Sequence, residues 1–204
     1  MLKTTRGSLT EIMTYHQVMP AYVDFMLVFG AQSDAKDLRF SGFREQIRLK
    51  TPTAWTSISA LNRSGKHYQL CYNLKGVKFK TKSVKGIKFD EWSIQQSAVY
   101  HSFDVDQGTA LWLVTKGGDE LLNRYEEMIG PNGRAEDRQF KTPELAFYSC
   151  LATHLLFCHW STEDWRWYIR WLEEVLDHEV CQLYSVSIIV LTAPEQHGNP
   201  WPTW

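Results

Sequence analysis

The stretch LLFCHWSTEDWRWYIRWLEEVL, residues 155–176, holds four of the nine tryptophans of this 204-residue chain. Tryptophan buries a large apolar surface, so such a cluster indicates a place where secondary-structure elements pack together. The apolar positions recur at helical spacing: Trp165, Tyr168, Ile169, Leu172, Val175 and Leu176. We interpret the stretch as a core helix with two packing neighbours, in preference to an aromatic cage that binds a ligand.

Two capping signals predict where helices begin in this part of the chain. Ser161 followed by Asp164 is a variant of the capping box, which predicts that the tryptophan-rich helix begins at residue 162. A second apolar helix precedes it, since Thr142 is a good N-cap and Pro143 suits the first helical position. We therefore predict two long helices, joined as a hairpin by a very short connection.

Strand patterns fill the middle of the chain. Residues 68–74 alternate, and WSIQQSAVYHSF at 92–103 alternates over its whole length. The turn residues at 104–109 lead into a returning strand at 110–115, which predicts an antiparallel hairpin. SVSIIVL, 185–191, could form one more strand.

The start of the chain reads as two helices. Ser8 with Glu11 makes a capping box, and Pro20 restarts the helix up to Phe29. The fold class predicted is α+β: a small, mostly antiparallel sheet packed against the C-terminal helical hairpin, with N-terminal helices. The sheet face would be held by Trp165, Tyr168, Leu172, Leu151 and Leu155. We expect one domain over residues 1–180 and an irregular tail over residues 181–204.

The composition and charge of the chain limit which partners and which cellular locations are expected. Lys+Arg number 22 and Asp+Glu 23, so no global charge favours nucleic acid as a partner. Four cysteines without a CxxC pair fit a reducing compartment. The N-terminal sequence MLKTTRGSLTEIM lacks the long apolar core of a signal peptide, and no apolar run reaches the ~20 residues that cross a bilayer. We expect a cytoplasmic chain, with the membrane surface as an alternative location.

The basic segment KGVKFKTKSVKGIK, residues 75–88, has six lysines and no acidic residue. Alternating lysines are typical of the exposed face of a hairpin or edge strand, which is the interpretation we favour. The alternative is an anion-binding surface for lipid headgroups or nucleic acid. Its candidate residues are Lys75, Lys78, Lys80, Lys82, Lys85 and Lys88.

Other groupings of reactive side chains are weaker. His154 and Cys158 share metal-ligand spacing on one helix, with His159 adjacent, but their surroundings are apolar, so buried core residues are the better interpretation. His101 lies near Asp104, where carboxylates are ordinary turn residues. The sequence KGGDE, 116–120, opens a helix, but its acidic pair opposes an anion. We predict no catalytic, cofactor or metal residue, and therefore no enzyme.

Several segments in order resemble one family. They are HQVMPAYVDFMLVFGAQ (16–32), FSGFRE (40–45), YQLCYNLKGV (68–77), WSIQQSAVYHSFD (92–104), ALWLVTKG (110–117) and LATHLLFCHWSTEDWRWYIRWLEEVL (151–176). Residues 15–180 resemble the soluble N-terminal region of fungal CorA-like proteins, members of the magnesium and divalent-cation transporter superfamily. The resemblance implies an α/β region placed before a stalk helix and two transmembrane helices.

The resemblance also sets functional expectations. The Gly-Met-Asn pore signature of the superfamily does not occur in the chain, and neither do the two transmembrane helices. We therefore expect an isolated soluble region, or an early-ending product, with a non-enzymatic regulatory or assembly role. The expected partner is a second copy of the chain or a membrane-embedded CorA-like region. The resemblance links the chain to magnesium or another divalent cation, but it carries over no metal ligand and no small-molecule substrate.

Overall fold

The computed structural model describes residues 4–29, 42–50, 63–84 and 87–192, without the side chains of 82–84, 87–90 and 185–192. The helices are α1 (Arg6–Tyr15), α2 (Ala21–Leu27), α3 (Gly118–Ile129), α4 (Pro143–Thr162) and α5 (Trp165–Thr192). The strands are β1 (Phe43–Arg48), β2 (His67–Val84), β3 (Ile87–Asp104) and β4 (Ala110–Lys116). A 3₁₀ turn, Ala135–Arg138, lies between α3 and α4. The chain divides into two compact units, with the boundary between Glu163 and Asp164.

The four strands form one antiparallel sheet in the order β1-β2-β3-β4. β2 and β3 pair along their whole length, from His67 opposite Asp104 to Val84 opposite Ile87. β1 pairs only with residues 67–72 of β2, and β4 pairs only with residues 97–103 of β3. The sheet therefore has four strands at one end and continues as a two-stranded ribbon at the other. Together with the helices at both ends of the chain, it confirms the predicted α+β class.

The N-terminal segment covers one face of the sheet. Val18, Met19, Tyr22 and Phe25 pack against Cys71, Ala98 and Tyr100. The Tyr22 hydroxyl donates to the carbonyl oxygen of Leu113 at 3.0 Å and lies 2.8 Å from Oγ1 of Thr115. The first helix begins earlier than predicted, at Arg6, because Thr5 is its N-cap and accepts a hydrogen bond from the amide of Ser8.

Helices α3 and α4 cover the opposite face. One cluster joins Val99, Leu121, Phe157 and Trp160, and a second joins Phe103, Ala146 and Cys150. Helix α4 lies so close to β2 that a Cβ on Gly76 would stand 3.3 Å from the Trp160 carbonyl oxygen. Only glycine allows that approach without a shift of backbone or ring.

The connection between the last two helices differs from the prediction. Ser161 lies inside α4 and is not an N-cap. Its hydroxyl donates to the Cys158 carbonyl oxygen, and that of Thr162 donates to the His159 carbonyl oxygen. These bonds satisfy carbonyls of the last turn, so the helix continues to Thr162. Glu163 and Asp164 form the joint, with Asp164 at φ +63°.

The side of α4 that is buried against the sheet also differs from the prediction. Leu151 and Leu155, expected to hold the sheet, are 44% and 62% exposed. The buried stripe consists instead of Ala146, Ser149, Cys150, Thr153, Phe157 and Trp160. Because α4 is apolar on both sides, hydrophobic periodicity alone could not identify the face that meets the sheet.

Helix α5, taken by itself, corrects two further expectations. The packing of Trp165, Tyr168 and Leu172 on the sheet stays a prediction, because α5 belongs to the second compact unit. The helix continues through residues 181–192, where an irregular tail and a strand were predicted. No glycine or proline interrupts residues 165–192, so a helix once formed can propagate. Residues 193–204 lie outside the described residues, and a domain end near residue 180 stays a prediction.

Candidate functional site

The predicted lysine segment lies on the β2–β3 ribbon. Lys78 donates to the Glu120 carboxylate at 2.7 Å, so its charge is paired with α3. Lys80 stands opposite Glu91 in the strand register, a position where opposite charges attract. Lys75 is half-buried, and the side chains of Lys82, Lys85 and Lys88 lie outside the described residues. The paired strands of the ribbon therefore carry the described lysines, and they place carboxylates beside Lys78 and Lys80.

An ion network extends from that ribbon to the end of α4. Arg124 donates to Glu120 at 2.7 Å and to Glu163 at 2.6 Å, and His159 lies 2.7 Å from Glu163. Hydrogen bonds from Lys78 and Arg124 lower the pKa of Glu120, and those from Arg124 lower the pKa of Glu163. The network was not predicted, since its members come from distant parts of the sequence.

A polar chain crosses the interface between α4 and the sheet. Nε2 of His154 lies 2.9 Å from Nδ1 of His101, and Nδ1 of His154 lies 2.7 Å from the Tyr72 hydroxyl. His101 is fully buried and stacks on Trp112 at a centroid distance of 3.9 Å. The three polar residues therefore join β2, β3 and α4 through hydrogen bonds inside an aromatic core.

Burial governs the protonation of the two histidines. Loss of hydration lowers the pKa of His101 to about 3, with a further contribution from the neighbouring His154. Loss of hydration also lowers the pKa of His154 to about 4. Both rings are thus neutral near pH 7, where each carries one N–H, and a neutral pair can share a hydrogen bond without charge repulsion.

The predicted groupings of reactive side chains are separated. His154 points into the sheet interface, whereas Cys158 and the ring of His159 are exposed. Burial raises the pKa of the other helix thiol, Cys150, to about 11, so it stays protonated near pH 7. Within the parts of the chain that the structure describes, no three His, Cys, Asp or Glu side chains are arranged to hold a metal ion.

Asp104 organises the loops next to His101. Its carboxylate accepts from the backbone amide of Ser64 at 2.7 Å, the Ser64 hydroxyl at 2.8 Å, and the amides of Asp106 and Gln107 at 3.1 and 2.9 Å. These bonds use the acceptor capacity of the buried carboxylate. Asp104 therefore has a structural role as a turn residue, as the sequence indicated.

A polar recess of about 120 Å³ was not predicted. His16, Arg63, His67, Gln69 and Ser102 line it, with Asp104, Thr109, Ala110 and Leu111. Nη1 of Arg63 donates to the His16 carbonyl oxygen at 2.7 Å. Oε1 of the buried Gln69 has no hydrogen-bond partner among the described residues. The recess is suited to ordered water or a small polar molecule.

Helix α4 has a second apolar stripe on the side away from the sheet, which we call the outer stripe: Tyr148, Leu151 and Leu155. Tyr148 is 62% exposed. From Leu145 to Thr162 the sequence has no aspartate, glutamate, lysine or arginine. Helix α5 likewise exposes Ile169, Leu176, Leu183 and Tyr184. Contiguous apolar faces of this kind mark interaction surfaces in soluble domains.

A family model described as CorA-like transporters matches residues 1–183. The chain belongs to the CorA-like transporter family. This match confirms the resemblance to CorA-like proteins, while the assignment to their soluble N-terminal region and the fungal origin stay predictions. Comparisons of this CorA-like chain with curated proteins and with solved structures gave no match.

Among the helices within the described residues, none combines the length and the apolar character that crossing a bilayer requires.

Proposed function

We propose that this CorA-like chain is a non-enzymatic assembly domain that associates with a second copy of itself through the outer stripe of α4. The observation that carries the proposal is the exposure of Tyr148, Leu151 and Leu155 on a helix whose opposite side already meets the sheet. An apolar helix face exposed to water is costly, and burial against a partner removes that cost.

Self-association suits the chemistry of this stripe. A two-fold interface brings the same patch of both copies together, so a charge close to the two-fold axis would face the same charge of the other copy. Helix α4 has none of the four fully charged residue types between Leu145 and Thr162. Two copies can therefore pair their outer stripes without electrostatic repulsion. Membership of a transporter family is consistent with an assembly role and with a regulatory role beside it.

The test is the oligomeric state of the full chain. Size-exclusion chromatography with light scattering, over a wide concentration range, should show an oligomer for the unmodified protein. The double variant Leu151→Glu/Leu155→Glu should be monomeric with unchanged circular dichroism. Leu122→Glu, at an exposed leucine of α3, is the matched control and should still assemble. A monomeric unmodified chain, or equal dissociation of the control, would refute the proposal.

We propose further that this domain has a regulatory role that responds to a divalent cation, and this part of the proposal has its own test. Melting temperatures are measured with magnesium, manganese and calcium at matched ionic strength. A cation-specific rise would support regulation by the ion. Equal curves for all salts would restrict the role to assembly.

As a second candidate function, we propose weak docking of the ribbon on an anionic membrane surface. The favouring observation is that β2 and β3 run on as a pair beyond β1 and β4, with Lys80 and Phe79 exposed there. Each lysine near an anionic surface contributes about 1 kcal/mol, so several are needed.

Sedimentation with vesicles that contain or lack acidic lipid tests this docking. Lys80→Gln/Lys82→Gln should reduce binding, whereas Lys141→Gln, in an exposed loop, should not. Binding that persists unchanged at high salt would refute the electrostatic account. Binding to nucleic acid instead of the vesicles would identify a different partner.

A further inference from the structure

An apolar crevice of about 290 Å³ opens between β4, α3 and α4. Its walls are apolar or aromatic: Trp112, Val114, Leu121, Leu122, Tyr125 and Phe157. The lining also includes two charged residues, Lys116 and Asp119, which are both exposed. No wall residue belongs to the outer stripe of α4, so the crevice is independent of the proposed assembly surface.

The crevice is built from side chains that the core already holds in place. Trp112 meets Phe157 edge to face, with centroids 5.6 Å apart and planes at 85°. Tyr125 lies 6.4 Å from the same Phe157 ring. Trp112 is fixed further by its stack on the buried His101. A site whose walls are ordered before binding loses little entropy when it is occupied.

Size and charge define the ligand. An apolar cavity of about 150 Å³ binds benzene, so a space nearly twice as large can accept a two-ring molecule. Aromatic walls favour a ring that stacks or packs edge to face. Lys116 and Asp119 carry opposite charges, so together they give no net preference for an anion or a cation. The six apolar and aromatic walls carry no charge, so a charged group placed among them, away from Lys116 and Asp119, would lose its hydration without a partner.

We propose that this crevice is a binding site for a small, uncharged aromatic molecule of one or two rings. Indole is the probe. The full chain is labelled with ¹⁵N, and the amide and tryptophan side-chain resonances are followed during titration. Saturable shifts should centre on Trp112, Leu122 and Tyr125. Indole-3-carboxylate and tryptamine, which add a negative or positive charge to the same ring system, should bind more weakly than indole.

Filling the crevice gives the decisive control. Val114→Trp places a large ring in the space from the β4 side and should weaken indole binding about tenfold or more. Ile94→Trp makes a related change at an exposed strand position away from the crevice and should bind indole as the unmodified chain does. Leu122→Trp fills the space from the α3 side. It replaces Val114→Trp in the titration if that variant melts at a much lower temperature than the unmodified chain.

Three results would overturn the proposal. One is the absence of saturable shifts with indole. Another is unchanged indole binding by a folded Val114→Trp or Leu122→Trp chain. The third is binding of either charged analogue as tight as that of indole, because an apolar, uncharged interior should discriminate against both.

Discussion

The imidazoles of His101 on β3 and His154 on α4 lie 2.9 Å apart, nitrogen to nitrogen, inside the interface between sheet and helix. Neither ring is paired with a carboxylate in this contact, and the Tyr72 hydroxyl completes the chain on the far side of His154. The pair is therefore stable in the neutral form, and the addition of a proton to either ring opposes folding.

The first prediction is a loss of stability in mild acid. Unfolded histidine titrates near 6.5, whereas burial lowers the pKa values of His101 and His154 to about 3 and about 4. Between these values the unfolded chain binds more protons. Stability present above pH 6.5 should therefore fall as the pH drops towards 4, by about 1.4 kcal/mol per pH unit for each ring.

Urea unfolding at a series of pH values measures this slope. His154→Gln should flatten it, while His178→Gln, at an exposed histidine of α5, should leave it unchanged. Burial also lowers the pKa values of His16 and His67, which add to the slope in the same direction and remain in both variants. An equal slope in His154→Gln and the unmodified chain would contradict the assignment.

The second prediction concerns Asp104. Its buried carboxylate accepts four short hydrogen bonds from Ser64, Asp106 and Gln107. Asp104→Ala leaves these donors unpaired and should lower the free energy of unfolding by about 3 kcal/mol or more. Asp106→Ala, which removes a half-exposed ion pair with Lys66, should cost less than about 1 kcal/mol. Chemical denaturation compares the two, and equal losses would argue against the role of Asp104.

The third prediction separates backbone strain from a clash. Gly118 has φ +72° with only ordinary contact at its Cβ position, so Gly118→Ala should cost about 1–2 kcal/mol. Gly108 has φ +69°, and a Cβ there would stand 2.8 Å from Cα of Pro143. Gly108→Ala should therefore cost about 1–3 kcal/mol more. Thermal and urea unfolding of both variants measure the difference; equal costs would show that the α4 backbone yields.

The fourth prediction tests the N-terminal side of the sheet. Tyr22 is buried, and its hydroxyl bonds to the Leu113 carbonyl and contacts Thr115. Tyr22→Phe should lower the free energy of unfolding by about 1–2 kcal/mol, since these partners lose a hydrogen bond in the core. Tyr15→Phe, at an exposed ring of α1, is the control and should have little effect. Similar losses in both variants would mean that the hydroxyl contributes nothing specific.

Local signals in the sequence sufficed for much of the sheet and for the start of α4. The turn at 104–109 led correctly to β4, because turn residues and period-two alternation act over a few neighbours. Thr142 accepts from the Leu145 amide, as the capping prediction required. Residues 75–84 of the lysine segment belong to β2, Lys88 belongs to β3, and the two strands pair to the end of the ribbon.

Features that depend on distant partners were not predicted. His154 was grouped with Cys158 by helical spacing, yet its actual partners, His101 and Tyr72, are brought to it by the strand register and by the docking of α4. The apolar crevice arises in the same way, from residues of three elements. Neither the register nor the docking of α4 can be derived from the periodicity of a single segment.

The two apolar sides of α4 have a consequence for how the protein reaches a unique arrangement. Hydrophobic burial alone would stabilise this helix by a similar free energy whichever of its two apolar sides faced the sheet. The polar atoms decide between the two orientations, because His154 finds Tyr72 and His101, and Ser149 finds the backbone of Gln139, in only one of them. These few hydrogen bonds therefore select one orientation of α4 about its axis. Their combined removal should yield a chain that stays helical and compact but in which α4 no longer keeps a single orientation against the sheet.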